Sequence, residues 1–289
     1  MEKPIERKHL LHESHFKTRD DLELFYRFWL REKTDPVFLI IHGFGEHSLR
    51  YLPMADELAG LPVSIAIFDL RGHGKSDGER VYVERFEDYL RDMESFLLHL
   101  NGKYDVSTSK IILFGHSMGG EIAAYYAITK PKEVELLILS SPCIAIHFWI
   151  PFAENLIASL SSFLPHLMIY NPVLPMFLTH DRQEAHQYRV DPLIQRRITL
   201  GLVKEMARVG RLILEKAPAI LVPLYVLAAG RDRIVKKQVA RNFFDRVASS
   251  EKKWIEFEGF YHEIFKEVER QKVYDVLIDI LKKPLSKGV

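Results

Sequence analysis

Ile111-Ile112-Leu113-Phe114 runs directly into Gly115-His116-Ser117-Met118-Gly119, and Glu121 to Ile128 follows with the apolar density of a helix. A buried strand, a G-x-S-x-G turn and a helix in immediate succession leave a chain few ways to fold. The flanking glycines admit a strained backbone at the turn, and the serine is lifted clear of the sheet edge at its tip. This layout predicts an α/β sheet with the Ser117 hydroxyl standing at the carboxyl end of a strand, where it can act as a nucleophile. The same pentapeptide also occurs in ordinary glycine-rich turns, so the groups such a serine needs around it decide between the two readings.

A serine nucleophile requires a base, an acid that orients the base, and donors for a developing oxyanion. Pro223 to Ala229 has a buried-strand pattern and ends in Gly230-Arg231-Asp232, which puts Asp232 on the loop beyond the strand. Trp254-Ile255-Glu256-Phe257 reads as another strand, and His262 follows it within Gly259-Phe260-Tyr261-His262-Glu263. Upstream, Val37 to Ile41 leads into His42-Gly43-Phe44-Gly45. There the backbone N–H of Phe44 is the expected partner of the Met118 N–H in an oxyanion hole. The order Ser117, Asp232, His262 selects His262 among 13 histidines, since His166 and His180 fall in an insertion and His9, His12 and His15 precede the core. His116 is assigned a structural role, and His42 the shaping of the oxyanion loop. For Asp232 the competing reading is a salt bridge to Arg231 or Arg233; no carboxylate follows the next plausible strand end, Leu139-Ser140-Ser141.

The 289 residues, 47% of them hydrophobic, suffice for one large domain, and the net charge of +1 argues against a nucleic-acid partner. Strands are expected at His12 to Thr18 and Glu23 to Trp29, as an antiparallel edge, then at Val37 to Ile41, Ser64 to Phe68, Ile111 to Phe114 and Glu135 to Leu139. Phe86, Leu90, Met93, Leu97 and Leu100 mark a helix, and a last helix is expected from about Val268 to Leu281. Between Cys143 and Lys216 the alternation stops, with a helical stretch at Leu193 to Leu214. The segment Asn155 to His180 contains no charged residue, but Pro165, Pro172 and Pro175 interrupt it, so it reads as broken apolar helices and not as a membrane span. The single Cys143 excludes an intramolecular disulfide, and the start Met1-Glu2-Lys3-Pro4 lacks the apolar core of a signal peptide, which suggests a cytoplasmic protein. Oligomeric state is left open.

No cofactor or metal is implied. Gly74-Lys75-Ser76 has the ending of a phosphate-binding loop, but Asp69 occupies the position of its first glycine. His12-Glu13-Ser14-His15 lacks the histidine spacing of a zinc-protease helix, and one cysteine offers no thiolate cluster.

Taken together, these residues resemble the monoglyceride lipase and lysophospholipase group of the α/β-hydrolase superfamily over nearly the whole chain. His42 to Ser48 with Arg50-Tyr51 is similar to that group's oxyanion loop, Asp69 with Arg71 to Ser76 and Gly78-Glu79-Arg80 to its next loop, and Gly115 to Gly120 to its nucleophile elbow. Leu178 to Asp181 and Tyr188 to Leu193 resemble its cap, and the segments around Asp232 and His262 its acid and base. The resemblance implies an α/β-hydrolase fold: a mostly parallel central sheet with helices on both faces, a single domain over 1–289 and a helical cap at 143–216. It implies hydrolysis of a single-chain lipid ester through an acyl-enzyme, with a monoacylglycerol the favoured substrate. A lysophospholipid, a broader ester range, an aminopeptidase activity and an inactive binding protein remain alternatives. Arg196, Arg197, Arg208 and Arg211 are open to a phosphate-binding or a merely solvated reading. Phe44 departs from the smaller residue frequent in relatives and is expected to narrow or reshape the mouth of the site. The stripe Ile144, Ile146, Phe148, Trp149, Ile150 and Phe152 is expected to line an acyl chain, and the apolar surface of Cys143 to Leu178 to permit transient membrane or micelle contact, peripheral at the inner membrane surface.

Overall fold

Val37–Ile41, Ser64–Phe68 and Leu224–Ala229 are buried along their whole length. Strands of that kind need cover on both faces and belong in the middle of a parallel sheet. The computed structural model, described here for residues 10–145, 159–171 and 173–285, builds an eight-stranded sheet around them in the order β1-β2-β4-β3-β5-β6-β9-β10. Its strands are β1 Leu10–Lys17, β2 Glu23–Leu30, β3 Val37–Ile41, β4 Ser64–Phe68, β5 Ile111–His116, β6 Val134–Ser140, β9 Leu224–Ala229 and β10 Lys252–Phe257. β1 and β2 run antiparallel at one edge, and every neighbouring pair from β4 to β10 is parallel.

Side-chain alternation along the strands divides the core in two. Val37, Leu39 and Ile41 of β3 pack on one face with Phe96, Ile122, Val209 and Phe243. Phe38 and Ile40 pack on the other with Met54, Leu58, Tyr274 and Leu277. The first face is covered by α2 (Glu87–Tyr104), α3 (Met118–Thr129), α5 (Leu200–Lys216) and α6 (Lys237–Arg246), and the second by α1 (Leu52–Glu57) and α7 (Gln271–Leu285). From β3 the chain goes to β4 on one side and later to β5 on the other. That reversal opens a crevice at the carboxyl ends of β3 and β5, the place where open α/β sheets bind ligands.

Between β6 and β9, which are adjacent in the sheet, none of the described residues joins the sheet. There the chain forms a separate antiparallel pair, β7 (Met168–Tyr170) with β8 (Arg197–Thr199), then α4 (Arg182–Val190) and α5. Asp181 caps α4 by accepting from the Gln183 and Glu184 amides, and Thr199 caps α5 by accepting from Leu202 N. Two expectations are corrected here. The helix expected at Leu193 to Leu214 starts only at Leu200, because Thr199 caps it and Arg197–Thr199 pairs as a strand. The stretch Asn155 to His180 is not simply broken helix, since its described part contains β7 and a short 3-10 turn at Pro175–Phe177. Ile146, Phe148, Trp149, Ile150, Phe152 and Leu156 lie outside the described residues. No helix among the described residues is long and apolar enough to cross a membrane.

Candidate active site

Ser117 joins β5 to α3 with φ 54° and ψ −119°, a region that a non-glycine residue occupies only at a cost of about 1–3 kcal/mol. The backbone around it enforces that conformation. Ser117 N donates to Ser140 O at 3.0 Å, and Ser117 O accepts from Gly120 N and Cys143 N, each at 2.9 Å. The strain therefore sits on the serine and not on its flanking glycines, whose φ values are not positive. Those glycines answer a different need, close approach. A Cβ at Gly119 would stand 2.1 Å from Ile41 O, and one at Gly115 2.2 Å from Gly119 O, so any side chain would push the elbow away from β3 or the helix away from the turn.

The structure brings Ser117, Asp232 and His262 together. His262 Nδ1 lies 2.7 Å from Asp232 Oδ2, and His262 Nε2 lies 2.9 Å from Ser117 Oγ. An ionised carboxylate only accepts, so Nδ1–H donates to Asp232 and Nε2 is left to accept the Ser117 hydroxyl proton. Asp232 Oδ1 accepts from the Ile234 and Val235 amides at 2.8 and 3.1 Å, which aims the other oxygen at the imidazole. Burial raises the Asp232 pKa, but the His262 ring and these amides outweigh it and hold the carboxyl below its ordinary value. Burial lowers the His262 pKa, and the Asp232 charge and hydrogen bond reverse that, so His262 titrates above its ordinary value. No salt bridge joins Asp232 to Arg231 or Arg233 among the described residues; the Arg233 guanidinium lies over the Phe177 and Tyr261 rings.

Met118 follows Ser117 directly, and Phe44 follows Gly43, at which an added Cβ would stand 3.2 Å from the Ser117 Cβ. Met118 is the first residue of α3, where a backbone N–H has no intrahelical acceptor. Among the described residues neither its amide nor that of Phe44 donates to another backbone group outside helices and strands. His42 supports the loop: Nε2 accepts from Leu70 N at 2.9 Å, which leaves Nδ1 to donate to Gly43 O at 2.8 Å. The Phe44 ring packs edge-on against His73, 5.9 Å between centroids, and half-buried against the core. His116 is buried beside His262, 5.0 Å between ring centroids. Burial and the neighbouring His262 push its pKa down to about 4, so it stays neutral.

Sequence reasoning missed a buried ionic group behind His262. Gly43 N donates to Glu46 Oε1 at 2.6 Å and Tyr51 Oη donates to the same oxygen at 2.8 Å. Arg50 spans Glu46 at 3.6 Å and Glu263 at 2.6 Å. Burial raises the Glu46 pKa, but Arg50 leads the charges that bring it down to about 2. A charged residue directly after His262 was the available signal. Of the four arginines considered for a phosphate, Arg208 is committed to Glu87 and Glu205, which counts against the phosphate reading for that residue. Among the described residues no cluster of His, Cys, Asp and Glu could hold a metal ion.

The family described as serine aminopeptidase S33 matches residues 32–269. Human monoglyceride lipase is 31% identical over 263 residues, covering 88% of this chain and 84% of the relative. The Escherichia coli protein YnbC is 29% identical over 91% of this chain, which spans only 45% of that longer protein. The crystal structure of a monoacylglycerol lipase from Paleococcus ferrophilus superimposes with a TM-score of 0.79 at 27% identity, covering 94% of this chain and 98% of the other.

Proposed function

The chain belongs to the serine aminopeptidase S33 family of the α/β-hydrolase fold, and from that premise we propose that it is a carboxylic ester hydrolase acting on monoacylglycerols. The observation that carries the mechanism is the unbroken relay from Ser117 Oγ through His262 to Asp232, with links of 2.9 and 2.7 Å. In this reading Ser117 Oγ attacks the ester carbonyl carbon while His262 Nε2 takes its proton, and Asp232 stabilises the imidazolium. The carbonyl oxygen, now negative, is held by the amides of Phe44 and Met118. Collapse of the tetrahedral intermediate breaks the C–O bond to the glycerol oxygen, which leaves with the proton from His262. Water, deprotonated by His262, then attacks the acyl-Ser117 carbonyl; the fatty acid departs and Ser117 recovers its proton. Human monoglyceride lipase and the Paleococcus enzyme support the choice of substrate.

The choice of glycerol over a phosphate-bearing alcohol rests on those two relatives. The chain between β6 and β9, residues 143–216, serves in this reading as a cap within a single domain. Phe163, Tyr170, Met176, Leu164 and Leu174 are exposed on it, Phe163 by 82%. A surface of that kind suits reversible contact with a micelle or with the inner face of a membrane, the protein otherwise being cytoplasmic. The test is turnover of monoacylglycerols of graded chain length beside matched lysophospholipids, p-nitrophenyl acetate and aminoacyl amides, with fluorophosphonate labelling of Ser117. Preferred turnover of a lysophospholipid or an amide, or a failure to label, overturns this reading.

A further inference from the structure

Behind the nucleophile turn lies a cavity of about 250 Å³, which neither Ser117 nor His262 lines. Glu121 of α3 stands in its wall with Met206 and Leu214 of α5 and Val239 of α6, while Arg211 and Lys236 supply cations. Glu121 is the anomaly. It is 1% exposed, and among the described residues neither of its carboxyl oxygens has a hydrogen-bond partner; its contact with the Gly210 backbone falls short of one. Burial, with no countering cation among the described residues, pushes its pKa well above its ordinary value, which favours the protonated form. Buried polar groups in native proteins are almost always paired, and leaving one unpaired costs free energy. The unmet hydrogen-bonding capacity of Glu121 therefore asks for a ligand.

The lining specifies the ligand's chemistry. A protonated carboxyl both donates and accepts, and a hydroxyl is the smallest organic group that answers it in both senses. Arg211 is exposed and pairs with no acid among the described residues, and its planar guanidinium suits a carboxylate. Between them the wall is aliphatic. A cavity of roughly 150 Å³ is enough to hold benzene, so this one has room for a chain of about six carbons. We propose that the cavity is a second binding site, for a short hydroxylated carboxylic acid, with its hydroxyl on Glu121, its alkyl body against Met206, Leu214 and Val239, and its carboxylate at Arg211. This site is separate from the ester chemistry at Ser117.

Calorimetric titration of the full chain with 6-hydroxyhexanoate, hexanoate and hexan-1-ol tests it. The hydroxy acid should bind about tenfold more tightly than either analogue, the margin of one added hydrogen bond or ion pair. Glu121→Leu should erase the margin over hexanoate, and Arg211→Glu the margin over hexan-1-ol. Glu121→Gln, whose amide still donates and accepts, should keep both. Equal affinity for the three compounds, no binding of the hydroxy acid, or margins that survive the substitutions would overturn the proposal. Should Glu121→Leu fail to fold, the Arg211→Glu and Glu121→Gln arms decide it by the same criteria.

Discussion

The Arg50 guanidinium reaches the Glu263 carboxylate at 2.6 Å, although 213 residues separate the two in the chain. This contact ties the residue after His262 to the loop that carries Phe44, so the proposed base and oxyanion donor share one buried support. Removing Arg50 would leave Glu46 and Glu263 buried without their common cation. Breaking a buried pair in that way costs about 3–5 kcal/mol. Arg50→Ala should therefore lower the midpoint of urea unfolding sharply, while Glu263→Gln, which leaves Arg50 paired with Glu46, should lower it much less. Equal midpoints for the two variants would show that the guanidinium is not the keystone of the group.

Ser117→Ala should reduce monoacylglycerol turnover by about a millionfold, and His262→Ala by nearly as much, because the members of such a relay act as one unit. Both variants should keep the wild-type circular dichroism spectrum, and Ser117→Ala should also relieve the strain of a positive φ only slightly, since alanine shares the same restriction. Ester hydrolysis retained by a clean Ser117→Ala preparation would exclude the mechanism.

The pH profile carries a sign that can be checked. His262 acts as a base only when neutral, so turnover should be present above its pKa and lost as pH falls through it. Burial would lower that pKa, but Asp232 raises it above the ordinary 6.5, which places the acidic limb of kcat/KM higher than about 6.5. Asp232→Asn removes the raising charge, so the limb should move to lower pH while kcat drops about 10⁴-fold through the wrong tautomer. A limb that stays in place in the variant would assign the titration to another group.

Much of this arrangement is legible in the sequence where local pattern and final environment agree. The uninterrupted apolar runs of β3 and β9 announce strands covered on both faces, and in a parallel sheet Phe44, Ser117, Asp232 and His262 must then emerge along one edge. What stays hidden depends on distant partners. β7 and β8 have three residues each and exist only through their pairing, so nothing local distinguishes Arg197–Thr199 from the helix that follows. α4 buries Tyr188 alone and has no apolar stripe to read. Glu46, Arg50 and Glu263 look like surface charges until the fold closes around them. The glycines beside Ser117 were legible as a turn, but the reason for them, contact with Ile41 O and Gly119 O, needs coordinates.

The exposed apolar side chains of the segment between β6 and β9 separate two roles for that surface. Phe163 and Met176 are 82% and 64% exposed, so replacing either with aspartate removes little packing from the folded protein. If the surface meets lipid, Phe163→Asp and Met176→Asp should weaken co-sedimentation with anionic vesicles and raise KM for micellar long-chain monoacylglycerols. Neither should change turnover of p-nitrophenyl acetate, which reaches Ser117 from solution. Each methylene of an acyl chain that is buried contributes about 0.8 kcal/mol, so wild-type kcat/KM should climb with chain length until the space for the chain is filled and then level off. The two variants should flatten that climb only for substrates presented in micelles, not for short monomeric esters. Equal losses on the micellar substrate and on p-nitrophenyl acetate, in variants shown to be folded, would mean that these side chains support the site from within and that the surface does not dock on lipid.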